Sequence, residues 1–166
     1  GLSLRRAMQI TIAAVGRLKA GPERELFDRY LERAGQSGRA LGLTVRLREL
    51  AESRAQRADE RMAQEAAALL ELVPDGARLL ALDERGDTMT SDAFATWLGR
   101  ERDAGQREIV LAIGGADGHG AAVRSRADRL LAFGAMTWPH QLVRILLAEQ
   151  VYRATTILSG HPYHRA

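Results

Sequence analysis

Two short apolar runs, residues 77–82 (ARLLAL) and Glu108–Ile113 (EIVLAI), limit most sharply what this chain can fold into. A strand that is apolar on both faces belongs in a sheet covered on both faces. That is the parallel sheet, whose crossover connections lay helices on either side. The rest of the pattern agrees. Residues 9–15 (QITIAAV) are a third β-rich run, residues 43–50 (LTVRLREL) alternate apolar and charged like a half-exposed strand, and residues 129–133 are a fifth candidate. Between them lie segments of helical spacing: 23–34 behind Pro22, 55–72, 91–103, 121–127 and 140–158. Residues 35–38 (GQSG) are expected to end the first helix. Ser53 is expected to open the second through a capping box with Gln56, and residues 83–87 (DERGD) to turn at the end of their strand. The expected fold is α/β, a mostly parallel sheet with helices on both faces.

Ligands of such sheets bind beyond the carboxyl ends of the strands. Three loops begin there, after Leu82, after Ile113 and after Phe133. If their strands adjoin, the loops converge on one pocket. The second loop, 113–118 (IGGADG), has glycines that let a ligand approach the backbone closely. It matches neither the dinucleotide fingerprint nor the phosphate loop, and a lone glycine-rich turn after a strand is more often a plain turn. Asp117 is free to cap the next helix or to touch a ligand. In the third loop, 134–139 (GAMTWP), Met136 and Trp138 must either fold back into the core or line an apolar slot.

The helix 140–158 is apolar around most of its circumference, so it must be buried on nearly all sides, and a second copy of the chain is one way to cover a face. Its polar exceptions include Glu149 and Arg153, spaced for an i,i+4 ion pair. The tail 161–165 (HPYHR) offers stacking surfaces in Tyr163 and His164 and an anion-binding fork in Arg165, the equipment that holds unpaired RNA bases. Two of the four histidines lie there, but with no third ligand nearby and no cysteine in the chain, neither a metal site nor a disulfide is expected. The net charge of +3 and pI near 9.9 suit a polyanionic partner. The excess is nearly all arginine, with Lys19 the single lysine, which also matches GC-rich coding and does not itself indicate RNA. The 166 residues fit one domain, expected over 8–166 with Met8 as the native start and residues 1–7 as an upstream extension or expression remnant. No apolar run approaches the roughly 20 residues of a membrane span. Residues 1–7 lack the apolar stretch of a secretory leader, and a cytoplasmic location is expected.

Taken together, residues 80–86 (LALDERG), 113–118 (IGGADG) and 137–165 (TWPHQLVRILLAEQVYRATTILSGHPYHR) closely resemble the bacterial RlmH family, the ribosomal RNA large subunit methyltransferases H of the SPOUT superfamily. The segment 14–16 (AVG) before a lysine-containing loop is similar too. The resemblance runs from about Met8 to the end. It implies a SPOUT-type fold with a C-terminal trefoil knot and a homodimer. It also implies S-adenosylmethionine-dependent methylation at N3 of a pseudouridine in helix 69 of 23S rRNA, in the assembled ribosome. The cofactor positions it implies are Leu82, Gly115, Gly134, Ala135, Met136, Thr137, Trp138 and Pro139, which fall in the three loops already singled out. Met136 and Trp138 stand where relatives carry leucines, and Ala116-Asp117 where some carry Pro-Glu.

The resemblance places Glu149, Arg153, Tyr163, His164 and Arg165 on the substrate side. Arg153 and Arg165 are expected to contact phosphate or base, Tyr163 and His164 to stack or position, and Glu149 to orient Arg153 or the substrate. The imide N3 is a poor nucleophile until it loses its proton. His140 and His164 are the titratable candidates to help, although His140 reads as readily as a cap of the last helix. The tail is expected to close over the cofactor pocket of the partner subunit. Two alternatives stand beside this reading: a SPOUT methyltransferase acting on another RNA such as tRNA, and a non-catalytic ribosome-binding factor that keeps the fold.

Overall fold

A computed structural model describes residues 7–165. Residues 1–6 and Ala166 lie outside the described residues, and with them most of the expected N-terminal extension. Strands and helices alternate: β1 (Met8–Val15), α1 (Pro22–Gly38), β2 (Leu43–Leu50), α2 (Ala58–Glu71), β3 (Arg78–Asp87), α3 (Ser91–Asp103), β4 (Glu108–Ile113), α4 (Ala121–Arg126), β5 (Arg129–Leu131) and α5 (His140–Ser159). The sheet order is β2-β1-β4-β3-β5, and every neighbouring pair is parallel. The carboxyl ends of β4, β3 and β5 therefore lie side by side on one edge.

The period-2 alternation of the central strands sorts two apolar layers. Ile10 and Ile12 of β1, Leu80 of β3, and Ile109 and Leu111 of β4 pack against α1, α3 and α5 through Phe27, Phe94, Leu98, Leu147 and Val151. Ala13, Val15, Leu79, Ala81, Val110 and Ala112 face the other way, onto Ala66 and Leu69 of α2 and Val123 of α4. The runs read as two-sided from sequence are two-sided in the fold. Burial of each large aliphatic side chain contributes about 1.5–3 kcal/mol.

Several sequence expectations are corrected. The first helix does not stop at Gly35. It runs to Gly38, continues as a 3-10 turn over Arg39–Leu41, and ends at the left-handed Gly42. Ser53 caps nothing. α2 starts at Ala58, three residues later than expected, with no side-chain cap at Arg57, while Ser53 N–H donates to Glu65. The DERGD segment is not a terminal turn, because β3 continues through it to Asp87. Leu82 and Asp87 both pair with Leu131, so the residues between them bulge out of the ladder. Gly86 makes the return feasible, since a Cβ there would lie 2.6 Å from the Leu130 carbonyl carbon. β5 is three residues long, shorter than the five expected.

Candidate functional site

The three strand-end loops converge. They enclose a cavity of about 770 Å3. Leu82 to Arg85 line it from β3, Ile113 to His119 from the turn after β4, and Leu131 to Gly134 with Met136 to His140 from the segment after β5. Val143 of α5 closes one side. Of the eight residues expected at the cofactor, seven are in this wall. Ala135 belongs to the same loop but is exposed and not part of the wall. Met136 and Trp138 do not fold back into the core. They stand at the rim with 73% and 42% of their surfaces exposed, and Trp138 Nε1 donates to the Phe133 carbonyl at 3.2 Å.

The glycine turn is held from outside. Asp117 neither caps α4 nor points free. It accepts two bonds from Arg61 of α2, at 2.9 and 3.4 Å, and that guanidinium holds its carboxyl below the usual range. Gly120, without a side-chain bond, precedes α4. Behind the turn, a Cβ on Gly115 would sit 2.9 Å from Glu65 Oε1 and 3.1 Å from Val15, so the wall closes only with glycine there. Asp83 pairs with Arg124 at 2.6 Å. Burial pushes its carboxyl up, but bonds from the Arg85 N–H and the Arg124 guanidinium outweigh this and hold it below the ordinary value. His119, buried in the wall, has Nε2 3.2 Å from the Ala112 carbonyl, which can only accept, so that nitrogen carries the proton. Burial also lowers its pKa, keeping the ring neutral.

A second cluster forms at the other end of α5. The left-handed Gly160 ends the helix, and His161 N–H donates back to the Thr156 carbonyl, which turns the tail over the helix it has just left. Glu149 is the hub. It accepts from Arg153 at 2.6 and 2.9 Å, from the Tyr163 hydroxyl at 3.1 Å and from Gln150 at 3.1 Å. The Tyr163 ring lies 4.7 Å from that of Tyr152 and carries the Arg153 guanidinium 4.8 Å above it. Burial, then the bond to Glu149, pushes the Tyr163 phenol up to about 12. Arg153 Nη1 is 3.1 Å from His164 Nδ1. Arginine can only donate, so Nδ1 accepts and the neutral ring carries its proton on Nε2, 3.5 Å from Asp92. Four of the five residues expected on the substrate side are thus one network. Arg165 is exposed beyond it. None of the five lines the 770 Å3 cavity of their own chain.

The residue that sequence reasoning missed is Arg144. It sits 1% exposed on α5, donates to Glu49 at 2.7 Å, and lies 3.2 Å from the Gly16 carbonyl. Glu49 also accepts from the Leu18 N–H at 2.8 Å. One ion pair, buried at Arg144 and partly exposed at Glu49, which Arg24 also contacts at 3.3 Å, therefore ties the last helix to the ends of β1 and β2. Its signal was an arginine inside the densest apolar stretch of α5. His140, one of the two base candidates, is the first residue of α5 and lines the cavity. The cap position is Pro139, with no side-chain cap bond. α5 itself is less covered than its composition requires, with Leu142 and Leu146 still 42% and 38% exposed. Among the described residues no helix is long and apolar enough to cross a membrane, and no group of three or more metal-ligating side chains is assembled.

Comparison with known proteins bears on this geometry. Residues 8–164 match the family model described as Predicted SPOUT methyltransferase. A protein of Sinorhizobium fredii named Ribosomal RNA large subunit methyltransferase H is 58% identical over 160 residues, covering 96% of this chain and 100% of the relative. Proteins of the same name from Brucella anthropi and Rhizobium meliloti are 54% and 58% identical with the same coverage. Among solved structures, the SpoU methyltransferase AviRb from Streptomyces viridochromogenes, in complex with AdoMet, aligns with 92% of this chain and 59% of its own. That alignment has 15% identity and a TM-score of 0.38, too loose to bear on the site. The family match spans nearly every described residue, including all three loops and the tail cluster. The chain belongs to the SPOUT methyltransferase family, within the group of the ribosomal RNA large subunit methyltransferases H.

Proposed function

We propose that this protein is an S-adenosylmethionine-dependent methyltransferase of large-subunit ribosomal RNA that modifies N3 of a pseudouridine in helix 69 of 23S rRNA on the assembled ribosome, and so works in the cytoplasm. The observation that carries this reading is the single cavity built from the carboxyl ends of three adjacent parallel strands, in a chain more than half identical to proteins of that name. The cavity suits the cofactor. Its volume lies within the range of about 300–1,000 Å3 of small-ligand sites. Leu82, Ile113, Phe133 and Val143 offer apolar surface to an adenine. Glu84 offers a carboxylate to hydroxyls or a cation, and Arg85 a partner for a carboxylate. Leu82, Gly115 and residues 134–139 are the proposed cofactor contacts. When bound, S-adenosylmethionine supplies a methyl group on a positive sulfur.

The chain's own contribution is to hold the two reactants and relieve N3 of its proton. Arg153 occupies Nδ1 of His164, so the tail histidine has no free lone pair there and serves to position. His140, in the cavity wall, is the proposed proton acceptor. The tail network lines no part of its own chain's cavity, which supports its action on the cavity of a second subunit. Met136, Trp138, Leu142 and Leu146 leave a partly exposed apolar strip on and before α5. In a homodimer that strip is the proposed contact, and a trefoil knot around the 134–139 loop is the topology that goes with the family.

The test has two parts. Calorimetry should detect S-adenosylmethionine, and incubation with intact ribosomes should place one methyl group on the pseudouridine, located by mass mapping of the rRNA. A methyl group on tRNA instead would select the first alternative. No cofactor binding at millimolar concentration would select a non-catalytic ribosome-binding factor. Sedimentation should give a dimer, and a Leu142→Glu, Leu146→Glu double variant a monomer.

A further inference from the structure

A second cavity, of about 410 Å3, shares Leu131, Ala132, Phe133 and Gly134 with the first, so one stretch of chain borders both. Met89, Phe94 and Leu146 give it apolar sides, and Thr88, Thr90, Ser91 and Gln150 its polar groups. Among these, Gln150 has a fixed amide. Its Nε2 donates to Glu149 at 3.1 Å, and because a carboxylate only accepts, the nitrogen must face that way. Its Oε1 accepts from the Ser91 hydroxyl at 2.7 Å. Each amide atom retains one unused hydrogen-bonding valence. A carboxamide held like this is complementary to a ligand with an N–H beside a C=O. It is joined through Glu149 to the tail network.

We propose that this second cavity receives the target base and that Gln150 recognises it as pseudouridine. The inference rests on the methyltransferase reading above and names a residue that discriminates within it. A base removed from its stack is read by hydrogen bonds to its edge and by apolar and aromatic contact with its faces, and Phe94, Phe133 and Met89 supply the latter. The chemistry then selects the base. Uridine has a single base N–H, at N3, so an amide pairing with it would block the atom to be methylated. Pseudouridine has a second, N1–H, beside the C2 carbonyl. Gln150 can pair with N1–H and O2 and leave N3 free. Leu131 to Gly134 border both cavities, so the base site adjoins the proposed cofactor cavity of the same chain, and the tail that completes it comes from the second subunit. Ser91 acts one step back, as the positioning residue that holds the amide oxygen.

The test compares methyl transfer to ribosomes carrying pseudouridine or uridine at the target, for the full-length wild type, Gln150→Leu and the length-matched Gln150→Met. Thermal unfolding would verify that each variant is folded. The expected result is a wild-type preference for pseudouridine in kcat/KM that falls about ten- to a hundredfold in both variants, the discrimination of one bidentate pair. Affinity for S-adenosylmethionine, read by calorimetry, should stay within about twofold. Ser91→Ala should reduce the preference less. A preference ratio that stays at the wild-type value, whether or not total activity drops, overturns the proposal. Failure of the wild type to methylate either ribosome overturns the methyltransferase reading itself.

Discussion

The cavity and the tail network are each fixed in shape, but by opposite means. The cavity is set by backbone. Parallel strands end side by side, and Gly115 closes the wall where any Cβ would strike Glu65. The tail network is set by side chains, with Glu149 binding Arg153, Tyr163 and Gln150 at once. A backbone site tolerates changes in the residues at its rim, and Met136 and Trp138, both largely exposed, are such residues. A side-chain network does not, because each member leaves another unsatisfied when it is removed.

The largest expected effect is at the joint between the two regions. Arg144→Met leaves Glu49 with only Arg24, at 3.3 Å, and the Leu18 N–H as partners, and the loss should be about 3 kcal/mol, the upper end for a hydrogen bond to a charged group. Urea unfolding should show it, and a loss below about 1 kcal/mol would mean that the pair does not couple α5 to the sheet. Next comes the tail. Deleting residues 163–166 should cut methyl transfer more than about a hundredfold, as misplacement of a reacting group does, while calorimetric cofactor affinity is retained. An equal loss of both would merge the regions that the structure separates. Tyr163→Phe removes one hydrogen bond to a carboxylate, and its effect on kcat should be about tenfold, with the KM for ribosomes little changed.

The smallest effect belongs to the cavity wall and depends on pH. Burial lowers the pKa of His119 in the folded chain below the ordinary value of 6.5. As pH falls through 6.5 the unfolded chain takes up the proton first, so the stability present above that value is lost toward the lower folded pKa. The urea midpoint should fall across that window in the wild type and fall less in His119→Gln, whose amide can replace the bond to Ala112 but does not titrate.

How much of this was legible depended on the range of the interaction. α3 and β4 have the boundaries their local periodicity gave. The convergence of three loops followed from the strand pattern and one rule about parallel sheets. Where the answer lay in a distant neighbour, local signals misled. Gly35 resembles a helix end, but α1 continues past it to Gly38, where a Cβ would lie 2.8 Å from the Leu43 carbonyl oxygen. DERGD resembles a turn, but β5 pulls Asp87 back into the ladder. Arg144 could be noticed in an apolar helix, yet its partner Glu49 is 95 residues away, and no spacing rule connects them. The Glu149–Arg153 pair, four residues apart, was visible at once.

In the proposed enzyme, cavity and tail meet across two subunits. Co-expression of two inactive chains tests it most directly. One carries Leu82→Trp, which fills the cavity but keeps the tail, and the other lacks residues 163–166 but keeps the cavity. If each tail serves its partner, the purified mixed dimer contains one intact site and should methylate ribosomes at about half the wild-type rate per dimer, the share expected for one of two independent sites. A mixed dimer as inactive as either parent would contradict the account.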